Sequence, residues 1–499
     1  MTQPILPIRH EWALFDTAGT RQIEQRAAAP LPAHTLMRRA GEAVARLALA
    51  IAPHAQRVWV AAGPGNNGGD GLEAAIHLLG WGKAVEITLH GDPAALPADA
   101  QTSLARAQAA GVRIGSASVV PNEPPQLAID ALLGVGASRA PQGAIAACIR
   151  QLNALACPVL AVDLPSGLHA GTGQPLGDAC VIATHTLALL TLKPGLFTGA
   201  GRDHTGRVWL DTLGVDASGE LPQARLSAVT PNTPLGTRRH AQHKGSFGDV
   251  AVVGGARGMS GAALLAARAA HAAGAGRVYV ELLDPASGAA FDPTRPELMF
   301  RPGWSHSARD VLARATVVCG CGGDDAVRAP LPRLLSGAAR LVLDADALNV
   351  IAGDTSLATL LRARAPRGLA TVLTPHPLEA ARLLACSTSE VQADRLRSAR
   401  ELADRFDCVV VLKGSGSVIA ANGQVPRINS TGNAALATAG TGDVLAGWLA
   451  GRWAQSPIGH EAAAAFEVAC RAVAEHGAAA EPQPSGPLRA ADLIERLYR

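Results

Sequence analysis

Aromatic side chains are scarce, at 3% of 499 residues. That argues against a nucleic-acid platform built on stacked bases. An excess of charge of one sign is also missing. Lys+Arg 44 against Asp+Glu 41 leaves +3, a balance that points neither to nucleic acid nor to a membrane surface as partner. No apolar run approaches the ~20 residues that cross a bilayer. Val181–Leu192, the longest, is broken by Thr184, His185 and Thr186. The N-terminus has no basic region followed by an apolar stretch and a small-residue cleavage site, so the cytoplasm is the expected location. The 8 cysteines (148, 157, 180, 319, 321, 386, 408, 470) are scattered, form no zinc-type pattern and read as ordinary buried thiols. Lysine is rarer still. Only Lys83, Lys193, Lys244 and Lys413 occur among 44 basic residues, so a lysine kept here is a candidate for a site that needs a compact ammonium.

What is present is apolar: 48% hydrophobic and 17% charged, enough to bury large cores. The length allows about three domains and makes two large ones equally plausible. Two runs of alternating strand and helix signals cover roughly 10–215 and 240–499, separated by a proline-marked linker from Leu221 to His240. Such alternation predicts mostly parallel sheets covered on both faces.

In the first run, the apolar strand Arg57–Ala62 leads into Gly63-Pro-Gly-Asn-Asn-Gly-Gly-Asp-Gly71, and Leu72–Leu79 reads as a helix. Glycines let backbone approach a ligand, and a helix start attracts anions. The G-x-G-x-x-G fingerprint of dinucleotide binding is absent. Two further strand signals end in Asp130 and Asp163, and ligands gather at such carboxyl ends. Asn67, Asp130 and Ser166 offer only oxygen ligands, which suit a hard cation, with a monovalent one fitting the single carboxylate.

In the second run, Asp249–Gly255 reads as a strand, Ser260 as the N-cap of a helix over 261–273, and Gly274 as its stop. Three motifs follow strand signals. Val411-Leu-Lys-Gly-Ser-Gly-Ser417 is either a hairpin turn or a loop along nucleotide phosphates with Lys413 as point charge. Gly440-Thr-Gly442 precedes a helix over 443–453, whose first amides form an anion hole and whose Asp443 is a candidate base for a substrate hydroxyl. Thr374-Pro-His-Pro377 sets His376 on a rigid turn. Phosphoryl chemistry is the expectation. The residues alone leave open a small-molecule kinase, a non-catalytic nucleotide sensor and, less readily, a nicotinamide oxidoreductase.

Four motifs in order resemble the NAD(P)H-hydrate epimerase domain: Asn66-Asn-Gly-Gly-Asp-Gly71, Asp130 with Gly134-Val-Gly-Ala-Ser-Arg139, Val162-Asp-Leu-Pro-Ser-Gly167 and Leu192-Lys-Pro-Gly-Leu-Phe-Thr-Gly199. The second run resembles the ribokinase-like NAD(P)H-hydrate dehydratase domain, on His243-Lys-Gly-Ser-Phe-Gly248, Val252-Val-Gly-Gly255, Asp344-Ala-Asp-Ala-Leu348, Thr374–Pro377, Leu412-Lys-Gly414 and Gly440–Gly447. The resemblance implies two three-layer α/β/α domains. One is a Rossmann-like epimerase over 1–225, the other a ribokinase-like dehydratase over 226–499.

It also implies site residues. For the hydrated nucleotide these are Asn66, Asn67, Gly68, Gly69, Asp70, Gly134, Val135, Gly136, Ala137, Ser138, Arg139, Ala140 and Asp163, the last also the candidate for moving a proton. K+ would be held by Asn67, Asp130 and Ser166. In the second domain Ala262, Gly322, His376 and Asp443 would line the hydrate, while Lys413, Gly414, Ser415, Gly416, Ser417 and Gly442 line ADP or ATP with Mg2+. The implied partners are the hydrates of NADH and NADPH and the nucleotide, and a homo-oligomer is expected for an enzyme of this size. Two departures stand out. Gly320-Cys-Gly-Gly-Asp324 replaces a Gly-Pro-Gly-Leu-Gly pattern, and Leu378 stands where a glycine is usual.

Overall fold

The computed structural model describes residues 2–6, 10–116, 121, 123–227, 238–284, 286, 291–456, 461–482 and 486–498. The chain divides into two compact units, Met1–Arg225 and Leu226–Arg499. Residues 228–237 of the expected linker lie outside the described residues.

The first unit is built on an eight-stranded sheet. Its strands are β1 Gln3–Pro4, β2 Arg57–Ala62, β3 Ala84–Leu89, β4 Arg113–Ser116, β5 Leu127–Ala131, β6 Val159–Val162, β7 His185–Leu189 and β8 Arg207–Asp211. They lie in the order β1-β8-β7-β6-β5-β2-β3-β4, all parallel except the edge pair β1–β8. Alternation along β2 explains the layers. Val58, Val60 and Ala62 face a core closed by helices Thr35–Ile51, Asn66–Gly80 and Ala98–Ala109. Trp59 and Ala61 face a second core closed by Gly143–Asn153. The chain leaves β2 towards β3 on one side and β5 on the other. A crevice therefore opens at the carboxyl ends of β2 and β5, where the glycine-rich segment and Asp130 stand.

In the second unit the strands are β9 Asp249–Gly254, β10 Arg277–Leu282, β11 Met299–Phe300, β12 Ala315–Cys319, β13 Arg340–Leu343, β14 Ala370–Leu373, β15 Val409–Leu412, β16 Val418–Ala420 and β17 Arg427–Ile428. They run in the order β11-β10-β9-β12-β13-β14-β15-β16-β17. Pairing is parallel as far as β15, and β15–β16 and β16–β17 are antiparallel. Here the topological switch lies between β9 and β12. One face is covered by helices Ser260–Ala272, Thr441–Ala454, Glu461–Ala478 and Ala490–Tyr498.

Small residues fix one of these helices. A Cβ on Gly447 would lie 1.9 Å from the Ala266 carbonyl oxygen, and one on Gly451 would lie 2.5 Å from that of Ala270. The helices Ser260–Ala272 and Thr441–Ala454 thus touch backbone to backbone, which sets the height of Asp443 over the switch point. Gly447→Ala is expected to push them apart and destabilise the protein by ~1–3 kcal/mol. It should also slow any reaction that needs Asp443. Unfolding temperature and turnover measured together check this.

Three sequence expectations need correction. The helix expected from Leu72 begins at Asn66, with Gly65 as N-cap. Its first turns are glycine because Gly68 packs on the Gly63 carbonyl, where a Cβ would sit 2.0 Å from the oxygen. Ser260 is the first helical residue, and Met259 occupies the cap position without a side-chain hydrogen bond. The helix expected from Asp443 starts at Thr441 after Gly440, which has φ +90°.

Candidate active sites

In the first unit a cavity of about 580 Å³ opens at the switch point. Asn66, Asn67, Asp70, Gly134, Val135, Gly136, Ala137 and Asp163 line it. Gly68 and Gly69 do not. They are buried in packing, with a Cβ on Gly69 falling 2.6 Å from the Met37 sulfur. Ser138, Arg139 and Ala140 are exposed beyond the lining.

Asp163 follows β6 with φ +68°, an uncommon conformation for a non-glycine residue. Its carboxylate is paired with the Lys193 ammonium, whose side chain is fully buried. Lys193 also donates to the Leu189 and Thr191 carbonyls, both at 2.9 Å. Those three partners use all three ammonium protons, so Lys193 orients Asp163. Three further carboxyls line the cavity, Glu24, Asp70 and Asp99. Burial first, then the charges of Asp163 and Glu24, push Asp70 well above the usual range. Glu24, on the helix Thr17–Ala28, is raised by burial and then by Asp163.

Asp130 is completely buried. Its Oδ1 accepts from Ser166 Oγ at 2.6 Å, and its Oδ2 from the Ser166 amide at 2.8 Å. Burial pushes its carboxyl up to about 6, against those hydrogen bonds. Among the described residues no ion pair to Asp130 is formed by a Lys or Arg, and the Asn67 side-chain nitrogen is buried without a partner. A buried carboxylate without a counter-charge, beside the Ser166 hydroxyl, fits a hard monovalent cation.

In the second unit a chain of charges crosses the switch point. Lys413 Nζ donates to Asp344 Oδ1 at 2.6 Å, and Thr374 Oγ1 donates to the same oxygen at 2.8 Å. Burial opposes the Lys413 charge, but the Asp344 and Glu379 carboxylates hold its pKa above normal. Asp443 lies in the first turn of the helix Thr441–Ala454. Burial first, then the Asp344 charge, push its carboxyl up to about 6. A Cβ on Gly442 would lie 3.2 Å from Lys413 Nζ, so Lys413 stands beside the first amides of this helix.

Residues 413–417 form the connection of the β15–β16 hairpin. His376 caps the helix Pro377–Leu384, its Nδ1 accepting from the amides of Leu378 and Glu379 at 3.1 and 3.3 Å. Its Nε2 lies 3.1 Å from Glu379. Leu378 points outward, 45% exposed, and leaves this cap intact.

In the Gly320–Asp324 segment two residues take positive φ besides Gly320. Gly322 has φ +58° and lies against Ala262, whose Cβ would be 2.9 Å from a Cβ on Gly322. Asp324 takes φ +44° where the resemblance has glycine, and its amide donates to Asp346 Oδ2 at 2.8 Å.

Behind the helix start, His476 Nε2 lies 2.9 Å from the Thr441 carbonyl oxygen. Burial pushes this imidazole down to about 4. Unfolded histidine titrates near ~6.5, so the unfolded chain takes up the proton first. Stability is therefore lost as pH falls from ~6.5 towards ~4, by roughly 3 kcal/mol for the full shift. His476→Gln, with an amide able to donate to the same carbonyl, should flatten that limb of the unfolding curve. An unchanged slope contradicts it.

Sequence reasoning missed the parts of Glu24, Asp344 and Glu379, and gave Lys193 no task. Scarcity of lysine and its place in the Leu192–Gly199 motif were the signals that pointed to Lys193. Glu24 lies on a helix with no local motif.

Together these features define an α/β protein with a ligand cavity on one sheet and a phosphoryl-type site, a carboxylate and ammonium at a helix start, on the other. A family model described as NAD(P)H-hydrate dehydratase matches residues 250–497, and one described as YjeF-related protein N-terminus matches residues 33–195. The bifunctional NAD(P)H-hydrate repair enzyme Nnr of Escherichia coli (strain K12) is 38% identical over 461 residues, covering 90% of this chain and 85% of that one. Its counterpart from Coxiella burnetii is 35% identical over 504 residues, covering 97% and 98%. A solved ADP/ATP-dependent NAD(P)H-hydrate dehydratase from Bacillus subtilis, co-crystallized with ATP/Mg2+, is 29% identical with a TM-score of 0.42, covering 52% of this chain and 91% of that chain. The chain belongs to the bifunctional NAD(P)H-hydrate repair enzymes. Among the described residues no helix is long and apolar enough to cross a membrane.

Proposed function

We propose that residues 226–499 remove water from the S form of hydrated NADH or NADPH at the expense of ADP, and that residues 1–225 interconvert the R and S forms. The observation that carries the first part is the Asp443 carboxyl, raised to about 6, at the start of the helix Thr441–Ala454 beside Lys413. Hydroxide is a poor leaving group. Asp443 takes the proton of the hydrate's hydroxyl as that oxygen attacks the terminal phosphorus of the nucleotide, and AMP leaves when ADP is the donor. The amides of Gly440–Gly442 and the Lys413 ammonium hold the charge of the transferring group. The C–O bond then breaks, the ring nitrogen pushes in its electron pair, phosphate departs and the neighbouring carbon gives up a proton. The dihydronicotinamide ring is restored. Ala262, Gly322 and His376 border the hydrate, while Gly414, Ser415, Gly416, Ser417 and Gly442 follow the nucleotide, which arrives with its Mg2+.

In the first unit Asp163, oriented by Lys193, handles the proton, with Asp70 as its partner across the cavity. Asn66, Asn67 and the segment from Gly134 to Ala140 border the nucleotide. Asn67, Asp130 and Ser166 hold K+, which would neutralise the buried carboxylate and brace the cavity floor. The reading includes a cytoplasmic homo-oligomer.

The donor is tested by supplying ADP or ATP with the S hydrate and separating the products. ADP is expected to give one AMP and one phosphate for each NADH recovered. A stable phosphorylated nucleotide would make the protein a kinase instead. Dialysis into Na+ or Li+ buffer should slow epimerisation, reversed by K+, and leave dehydration unchanged.

A further inference from the structure

Cys321 is completely buried and sits at the switch point of the second sheet, where the resemblance has proline. Its sulfur lies 3.9 Å from Asp344 Oδ2. One ligand atom each from Cys321, Asp344 and Asp443 lies within 4.8 Å of the others. The three come from different elements. Cys321 follows β12, Asp344 follows β13, and Asp443 stands in the first turn of the helix Thr441–Ala454. Tetrahedral Zn2+ with its usual bond lengths separates a sulfur and an oxygen ligand by about 3.5 Å, so small side-chain rotations close the set.

We propose that Cys321, Asp344 and Asp443 form a binding site for one thiophilic divalent cation of the Zn2+ or Cd2+ type, and that its occupancy blocks dehydration. Three features of the site support this. Lys413 and Thr374 already occupy Asp344 Oδ1, so Oδ2, on the cysteine side, is the oxygen left for a metal. One thiolate, two carboxylates and Glu379 outweigh the Lys413 ammonium, an imbalance that a divalent cation reduces. The sulfur selects a soft cation over Mg2+, which prefers oxygen. On binding, the thiol proton is released to solvent and the metal–sulfur bond replaces the S–H bond, with no change of oxidation state. Asp443 and Lys413 are partly exposed, which gives the ion its way in. Solvent completes the coordination. The block of dehydration rests on the assignment of Asp443 as base; the metal site does not.

Two readouts separate these parts. The full chain without nucleotide is titrated with Cd2+, following the ultraviolet thiolate-to-metal charge-transfer absorbance. The expected result is a band saturating at one equivalent and lost in Cys321→Ser, with Cys321→Ala as a second variant. Inhibition by Zn2+ is then read as the ratio of inhibited to uninhibited dehydration within each protein. The parent should need at least tenfold less Zn2+ than Cys321→Ser, and a chelator should restore it. A band that survives both substitutions, or equal Zn2+ sensitivity, overturns the proposal. If the band behaves as expected and the protein does not dehydrate the hydrate at all, the dehydratase assignment has failed and the metal site stands, without its block of dehydration.

Discussion

Asp443→Asn is expected to abolish dehydration, lowering turnover by about 10²–10⁴-fold, while leaving epimerisation at the parent rate. The substitution keeps the size of the side chain and removes only its capacity to take a proton. Nucleotide binding should change little, because the Gly440–Gly442 amides and Lys413 remain. The folded protein should not suffer. Burial already holds this carboxyl up at about 6, above the ordinary aspartate value, so its ionised form costs stability at neutral pH. The variant is expected to unfold at the same temperature as the parent or higher. Retained dehydration, or loss of both activities, contradicts this division of labour. A lower unfolding temperature would mean that Asp443 has a structural part as well.

Lys193→Met should have the opposite profile. Its ammonium is fully buried and held by Asp163 and two carbonyls. Removing it leaves the Asp163 charge without its partner beside Asp70 and Glu24, at a cost of about 3–5 kcal/mol. Epimerisation is expected to fall by at least about 10²-fold and the first thermal transition to drop by several degrees. Dehydration of pure S hydrate should persist below that transition. Lys193→Arg should not rescue, because a planar fork cannot meet three acceptors converging on one point. Rescue by arginine, or normal epimerisation in the methionine variant, would remove Lys193 from the site.

The sequence was most informative where chemistry and turn geometry coincide. Asp130 and Asp163 stand at strand ends, and the strands β5 and β6 that carry them were legible as apolar runs. Gly440–Asp443 was legible as a helix start. Boundaries inside glycine-rich stretches were not. Asn66–Gly71 looks like a loop because glycine weakens helices, yet there it serves the approach of the helix to the Gly63 carbonyl, a tertiary demand. The carboxylates Glu24, Asp344 and Glu379 reach their charged neighbours only when distant segments assemble. The single most altered motif, Gly320–Asp324, was read as a departure from a pattern. Its consequence, a thiol beside two carboxylates, arises only when three distant segments assemble.

The most direct test of the account is the near-ultraviolet absorbance of restored NADH from a mixture of both hydrate epimers. The protein is added with ADP, with ATP or with neither, in K+ and Mg2+, and spontaneous epimerisation is subtracted. Full recovery that depends on nucleotide, with ADP sufficient, is the predicted result. Recovery that stops at the S fraction would contradict an active first domain, and no recovery with either nucleotide would contradict the dehydratase assignment itself.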